Sequence, residues 1–124
     1  MKRAMLLVSV MLLVSMLLGA CTANTAKNTI PVGVIAELTG DIPAVGASCK
    51  NAAELAVKEI NDAGGLDVGG TKYQIELFIE DNAGKADQSA SSAQKLITQQ
   101  NVVAIIGPNA SRYAIPASEI AESC

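Results

Sequence analysis

Residues Val102–Ser111 read VVAIIGPNAS. The first six carry no polar side chain and stop at Gly107-Pro108. A short apolar run rich in β-branched residues and closed by a breaker pair reads as a strand buried on both faces, central in its sheet. Pro108-Asn109-Ala110-Ser111 reads as a turn. In the RYAIPASEIAES that follows, Ala114, Ala117 and Ala121 recur at helical spacing. Pro116 lies inside that stretch, so the helix is expected to start late or to kink. The unit is a strand that turns through Gly-Pro into a helix, and the fold depends on whether it repeats.

It does. Upstream, QSASSAQKLITQQ places Ala86, Ala90, Ala93 and Ile97 on one helical face with Leu96 beside it. The DNAGKAD segment is a loop, and YQIELFIED alternates Tyr73, Ile75, Leu77 and Ile79 with Gln74, Glu76, Phe78 and Glu80. That is a strand with one wetter face, near a sheet edge. LDVGGTK reads as a turn. Cys49, Ala52, Ala53, Ala56, Val57 and Ile60 form an Ala-rich stripe at helical period, with Ser48 as N-cap, Glu54–Lys58 as an i,i+4 pair and Gly64 as the C-terminal stop. TGDIPAVGAS (residues 39–48) is a loop, and TIPVGVIAEL is the first strand. The order β-α-β-α-β-α, with crossovers of this length, implies parallel strands and right-handed connections. The expected fold class is therefore α/β: a parallel, doubly wound sheet with strand order 2-1-3.

The composition excludes several functions. The chain has 124 residues, a net charge of −3, no His and no Trp, so there is neither a basic stripe nor an aromatic platform for nucleic acid. Residues 1–20 read as a leader: Lys2-Arg3, then an apolar run from Met5 to Leu18, shorter than the roughly 20 residues that span a bilayer. Leu18-Gly19-Ala20-Cys21 resembles the lipobox of bacterial lipoproteins, which implies cleavage before Cys21 and lipidation of its thiol. Residues 21–29 are polar and aperiodic, a flexible tether, and residues 30–124 form the folded part. The protein is expected outside the cytoplasm, anchored to the membrane by lipid. Cys49 and Cys124 fall at opposite ends of the sheet, so two free thiols are expected, with Cys49 packed as a small apolar residue.

Catalytic and cofactor motifs are missing from the sequence. No G-x-G-x-x-G follows the first strand, GDIPAVGAS lacks the Lys-Ser/Thr of a P-loop, no Cys/His cluster suits zinc, and Asp62, Asp67, Glu80 and Asp81 do not match a calcium loop and read as solvated charges. No cofactor or metal is expected. Ligands of open α/β sheets bind at the carboxyl ends of strands where the order reverses, here between the first and third strands. The exit loops TGDIPAVGAS and GPNASR both lead into helix N-termini, whose amides favour a carboxylate. Ser111 adds a hydroxyl there, as a ligand contact or as a plain N-cap.

IPVGVIAELTGDIPAVGAS, NAAELAVKEINDAGGLDVGG, IELFIEDNAG and VVAIIGPNAS resemble successive blocks of the type I periplasmic binding proteins, in particular the leucine/isoleucine/valine-binding branch that serves branched-chain amino-acid ABC importers. The resemblance runs from about Ile30 to the end and implies a substrate-binding lipoprotein without catalysis, whose partners are a small amino-acid or amide ligand and a membrane permease. It implies that Ser111 contacts the charged end of the ligand, that Asn109 and Ala110 offer backbone groups, and that Val45, before Gly46, stands where relatives often carry an aromatic residue. Some relatives bridge the loops around Gly84 and Ala110 with a disulfide; neither position is Cys here. The family has two lobes that close on the ligand. The chain ends at AESC, where a further strand is expected, so it reads as a truncated portion of the first lobe with too little cleft for tight binding. A sensing receptor domain of the same fold and a small α/β enzyme are the rival readings; the enzyme would need a base near Ser111.

Overall fold

The structure is a computed structural model that describes residues 28–124. The leader, Cys21 and nearly all of the tether lie outside the described residues. Thr29, expected in the tether, already opens the first strand.

Seven elements follow in order: β1 (Thr29–Ala36), α1 (Pro43–Asp62), β2 (Leu66–Val68), β3 (Thr71–Asp81), α2 (Ala86–Thr98), β4 (Ala104–Ile106) and α3 (Ser111–Glu122). The sheet order is β2-β3-β1-β4. β1 runs parallel to β3 and to β4, with Val32 facing Leu77 on one side and Ala104 on the other. The three parallel strands therefore lie in the expected order 2-1-3. β2 is an addition: the Leu66–Val68 segment, read as a turn, pairs antiparallel with Thr71–Tyr73. Gly69 and Gly70 both have positive φ (60° and 84°), which suits a two-residue hairpin turn.

Successive residues of β1 point to opposite faces and feed two cores. Val34 and Ala36 pack with Ala53 of α1 and with Leu38, Leu77 and Ile79. Ile35 packs with Ala93 and Leu96 of α2, Ala117 of α3, and Phe78 and Ile105. One helix covers one face and two cover the other, the doubly wound arrangement.

Several local expectations need correction. α1 begins at Pro43, not after Ser48: proline's fixed φ suits a first helical position, and Ser48 lies inside, its hydroxyl donating to the Ala44 carbonyl at 2.9 Å. Gly46 is buried in the first turn of α1 because a Cβ there would lie 2.2 Å from the Glu37 carbonyl oxygen. Lys50 pairs with Glu54 and Lys58 with Asp62, in place of Glu54–Lys58. The C-terminal stop is as expected: Gly64 N–H donates to Asn61 O and Gly65 N–H to Ile60 O, a Schellman pattern. The inward face of α2 is Ser89, Ser92, Ala93 and Leu96. Ser89 is tolerated inside because its hydroxyl accepts from Asn82 Nδ2 (2.9 Å) and donates to the Lys85 carbonyl (3.1 Å). α3 starts at Ser111 and runs through Pro116, with Tyr113 and Ala117 buried. β4 is not central: among the described residues its far edge is open, and Val103 is 71% and Ile106 48% exposed. One face of β4 is open as well: Ala104 and Ile106 are exposed and only Ile105 packs against the core, so the apolar run marks one buried face and not a central strand.

Candidate functional site

The three parallel strands end on one rim, where their exit loops interlock. Asp81, the last residue of β3, accepts hydrogen bonds from the backbone N–H of Leu38 (3.0 Å), Thr39 (3.2 Å) and Ala83 (2.8 Å) and from the Thr39 hydroxyl (2.6 Å). Burial alone would raise its pKa; the donors from Thr39, Ala83 and Leu38 outweigh burial and hold it below the ordinary 3.8. Next along the chain, buried Asn82 accepts from the Gly84 N–H through Oδ1 at 3.0 Å and so shapes the turn into α2.

The loop after β1 meets the loop after β4 through two carboxylates. Asp41 pairs with the Arg112 guanidinium and accepts from the Tyr113 hydroxyl at 3.1 Å. Arg112 in turn stacks over the Tyr113 ring, 4.5 Å from its centroid. Glu37 is fully buried. Its carboxylate accepts from Asn109 Nδ2 (2.8 Å), the Asn109 N–H (3.2 Å) and the Ala110 N–H (3.4 Å). Burial again pushes the group up, and the Asn109 side chain with the backbone donors brings it below the ordinary 4.5. The Cys49 thiol, one turn beyond Val45 on α1, donates to Asn109 Oδ1 at 2.8 Å. Cys49 is thus a half-buried donor at the rim, more than a small apolar filler; it and Cys124 are free thiols, as expected.

Gly107 makes the close approach of this loop to β1 workable. Its φ is +85°, and a Cβ there would lie 2.2 Å from the Ile35 carbonyl oxygen. The peptide bond between Gly107 and Pro108 is cis.

Val45 stands in the first turn of α1 and is 48% exposed. Ser111 is the first residue of α3 and exposed, while Ala110 holds the N-cap position with extended backbone. The Ser111 hydroxyl makes no hydrogen bond among the described residues, so it does not cap α3. The two helix mouths differ in the donors they leave over. At α1, Pro43 has no N–H, and those of Val45 and Gly46 go to the Ile42 carbonyl. At α3, the N–H groups of Asn109 and Ala110 go to Glu37 and that of Tyr113 to the Ala110 carbonyl, while those of Ser111 and Arg112 make no hydrogen bond among the described residues. Among the described residues no group of three or more His, Cys, Asp or Glu could hold a metal ion.

Sequence reasoning missed Glu37, Asp41 and Asp81, and it treated Asp81 as a solvated charge. A signal existed. Glu37 and Asp81 each stand at the end of a strand's apolar run, where a carboxylate meets the exposed amides of neighbouring loops.

This architecture is shared with known proteins. A family profile described as Periplasmic binding protein matches residues 29–123. Leu/Ile/Val-binding protein BraC3 of Rhizobium johnstonii is 37% identical over 98 residues, which is 79% of this chain and 25% of that protein. Among solved structures, the branched-chain amino acid transporter substrate binding protein LivJ from Streptococcus pneumoniae, in complex with isoleucine, superposes with a TM-score of 0.72 at 38% identity, over 77% of this chain and 26% of that one. A solute binding protein of an ABC transporter from Rhodopseudomonas palustris, in complex with 3,4-dihydroxy benzoic acid, gives a TM-score of 0.66 at 30% identity, over 77% and 24%. The chain spans about a quarter of the length of the relatives it matches.

Proposed function

The chain belongs to the periplasmic binding protein family, and from that membership we propose that it captures an amino acid outside the cytoplasm for an ABC permease, without catalysis. The family implies the extracytoplasmic location. We propose further that residues 1–20 are a leader and that Cys21 carries a lipid anchor.

The observation that carries the binding reading is the meeting of the β1 and β4 exit loops on one rim, through Asp41 with Arg112 and Tyr113 and through Glu37 with Asn109 and Ala110. Neighbouring parallel strands whose crossovers leave to opposite faces open a crevice at their carboxyl ends. In this reading Ser111 binds the ligand carboxylate with its hydroxyl and its N–H at the start of α3, where the helix dipole also favours negative charge. The Arg112 N–H lies beside it. Val45 gives an apolar wall for an aliphatic side chain. The contact with isoleucine in the pneumococcal relative supports a branched aliphatic amino acid as the first probe. Among the described residues the rim offers a ligand one wall.

The test is saturation-transfer NMR on the full chain with L-isoleucine. Saturable transfer to the isoleucine methyl groups is expected, and Ser111→Ala should abolish it, because loss of a hydrogen bond to a charged group costs about 1.5–3 kcal/mol. Equal transfer in the variant would return Ser111 to a structural position, and no transfer in the wild type would reject the ligand.

A further inference from the structure

The donors of the proposed ligand loop are turned partly inward, toward a carboxylate that no solute can reach. Glu37 lies between the two helix mouths. Its backbone supports the first turn of α1, so close that a Cβ on Gly46 would fall within 2.8 Å of its N, C and O atoms. Its side chain takes three donors from Asn109 and Ala110. Asn109 closes the triangle by accepting from Cys49 of α1. Both ends of the Asn109 amide are used, Nδ2 toward Glu37 and Oδ1 toward Cys49, which fixes its orientation.

We propose that Glu37 is a positioning residue: its carboxylate holds the Gly107–Ser111 loop against α1 before any ligand arrives, and so sets the spacing of Ser111 and Val45. This rests on the assignment of Ser111 and Val45 as ligand contacts. Glu37 is 0% exposed, so it acts through the loop and never touches the solute. Hydrogen bonds to an ionised acceptor are about twice as strong as neutral ones, and three of them converge on one group. A loop ordered in advance spares the ligand the entropy of ordering it. The internal carboxylate also takes the Asn109 and Ala110 amides out of competition, leaving those of Ser111 and Arg112 as the pair without an acceptor among the described residues.

Amide hydrogen exchange and isoleucine saturation, both on the full chain, test this. Without ligand, the Asn109 and Ala110 amides should be protected. In Glu37→Ala their exchange should quicken by about tenfold or more while the amides of β1 keep their protection. Isoleucine binding, read well below the melting transition of each variant, should be lost in Glu37→Ala and partly recovered in Glu37→Gln, whose amide oxygen still accepts the backbone donors. A role in global stability alone would lower the melting temperature and leave the affinity of the folded molecules unmoved. Unchanged exchange at Asn109 and Ala110 in Glu37→Ala, or wild-type isoleucine binding by that variant, overturns the proposal. If Glu37→Ala does not fold, Asn109→Ala removes the side-chain donor and puts the same comparison on the Ala110 amide. If the wild type takes no isoleucine, the ligand assignment fails while the exchange comparison still decides what Glu37 does.

Discussion

Replacing Gly46 by Ala tests how closely α1 sits on the end of β1. An ideal Cβ at Gly46 would lie 2.2 Å from the Glu37 carbonyl oxygen, 2.4 Å from its carbon and 2.8 Å from its nitrogen. All three are backbone atoms, so no side chain can swing aside. Ordinary contact begins at 3.4 Å, and the first turn of α1 would have to lift by about 1.2 Å. Two effects oppose each other. Alanine is the better helix former by about 1 kcal/mol. Overpacking that forces a backbone shift costs about 1–3 kcal/mol, and a backbone collision this deep falls at the upper end or beyond. The clash wins, with a net loss of about 2 kcal/mol or more. For a folded region of this size that lowers the melting temperature by roughly 8–16 °C or more, read by circular dichroism. Ser48→Ala, on the exposed side of the same helix, is the control and should change stability by no more than about 0.5 kcal/mol. A Gly46→Ala protein that melts at or above the wild type would mean that α1 does not rest on Glu37, and the geometry of the rim would fail with it.

Two further outcomes follow from the rim. Asn109→Cys, with Cys21 and Cys124 changed to Ser, should form a disulfide with Cys49 under mild oxidation, because the Cys49 sulfur lies 2.8 Å from the Asn109 side-chain oxygen; alkylation of two free thiols after oxidation would contradict the contact. The second concerns acid. Glu37 and Asp81 are both held below their ordinary values of 4.5 and 3.8, so the folded state binds fewer protons there than the unfolded chain. Their contribution is complete above those ordinary values and disappears as pH falls through the depressed folded ones. Urea midpoints should therefore stay level from about pH 7 to 5 and drop below about pH 4.5, with a shallower drop in Glu37→Gln; a midpoint that rises on acidification would refute the sign.

The layering of the fold was legible because it depends on periodicity and order. The apolar runs of β1 and β4 and the stripe of α1 each fix an element, and the alternation of strand and helix makes the strands parallel. What escaped depends on spatial neighbours. Leu66–Val68 became a strand because Gly69-Gly70 folds it back on β3, and a three-residue strand has no periodicity to read. The α1 start was misplaced because Pro43 and Gly46 look like loop residues until Gly46 is seen against the Glu37 backbone. The serines of α2 look like solvent-facing positions until Asn82 meets Ser89. Of the proposed contacts, Ser111 and the β1 and β4 loops could be named by the rule for strand ends, and Val45 only through a family resemblance. Glu37 could not be assigned a partner, because Asn109 lies 72 positions further along the chain and nothing local connects them.

The most direct measurement is an amide-resolved NMR titration of the full chain with L-isoleucine. The shifts should be concentrated at Val45–Gly46 and Asn109–Arg112, the two mouths joined through Glu37 and Asp41. Shifts confined to the open β4 edge, or an unchanged spectrum at saturating isoleucine, would contradict ligand capture at this rim.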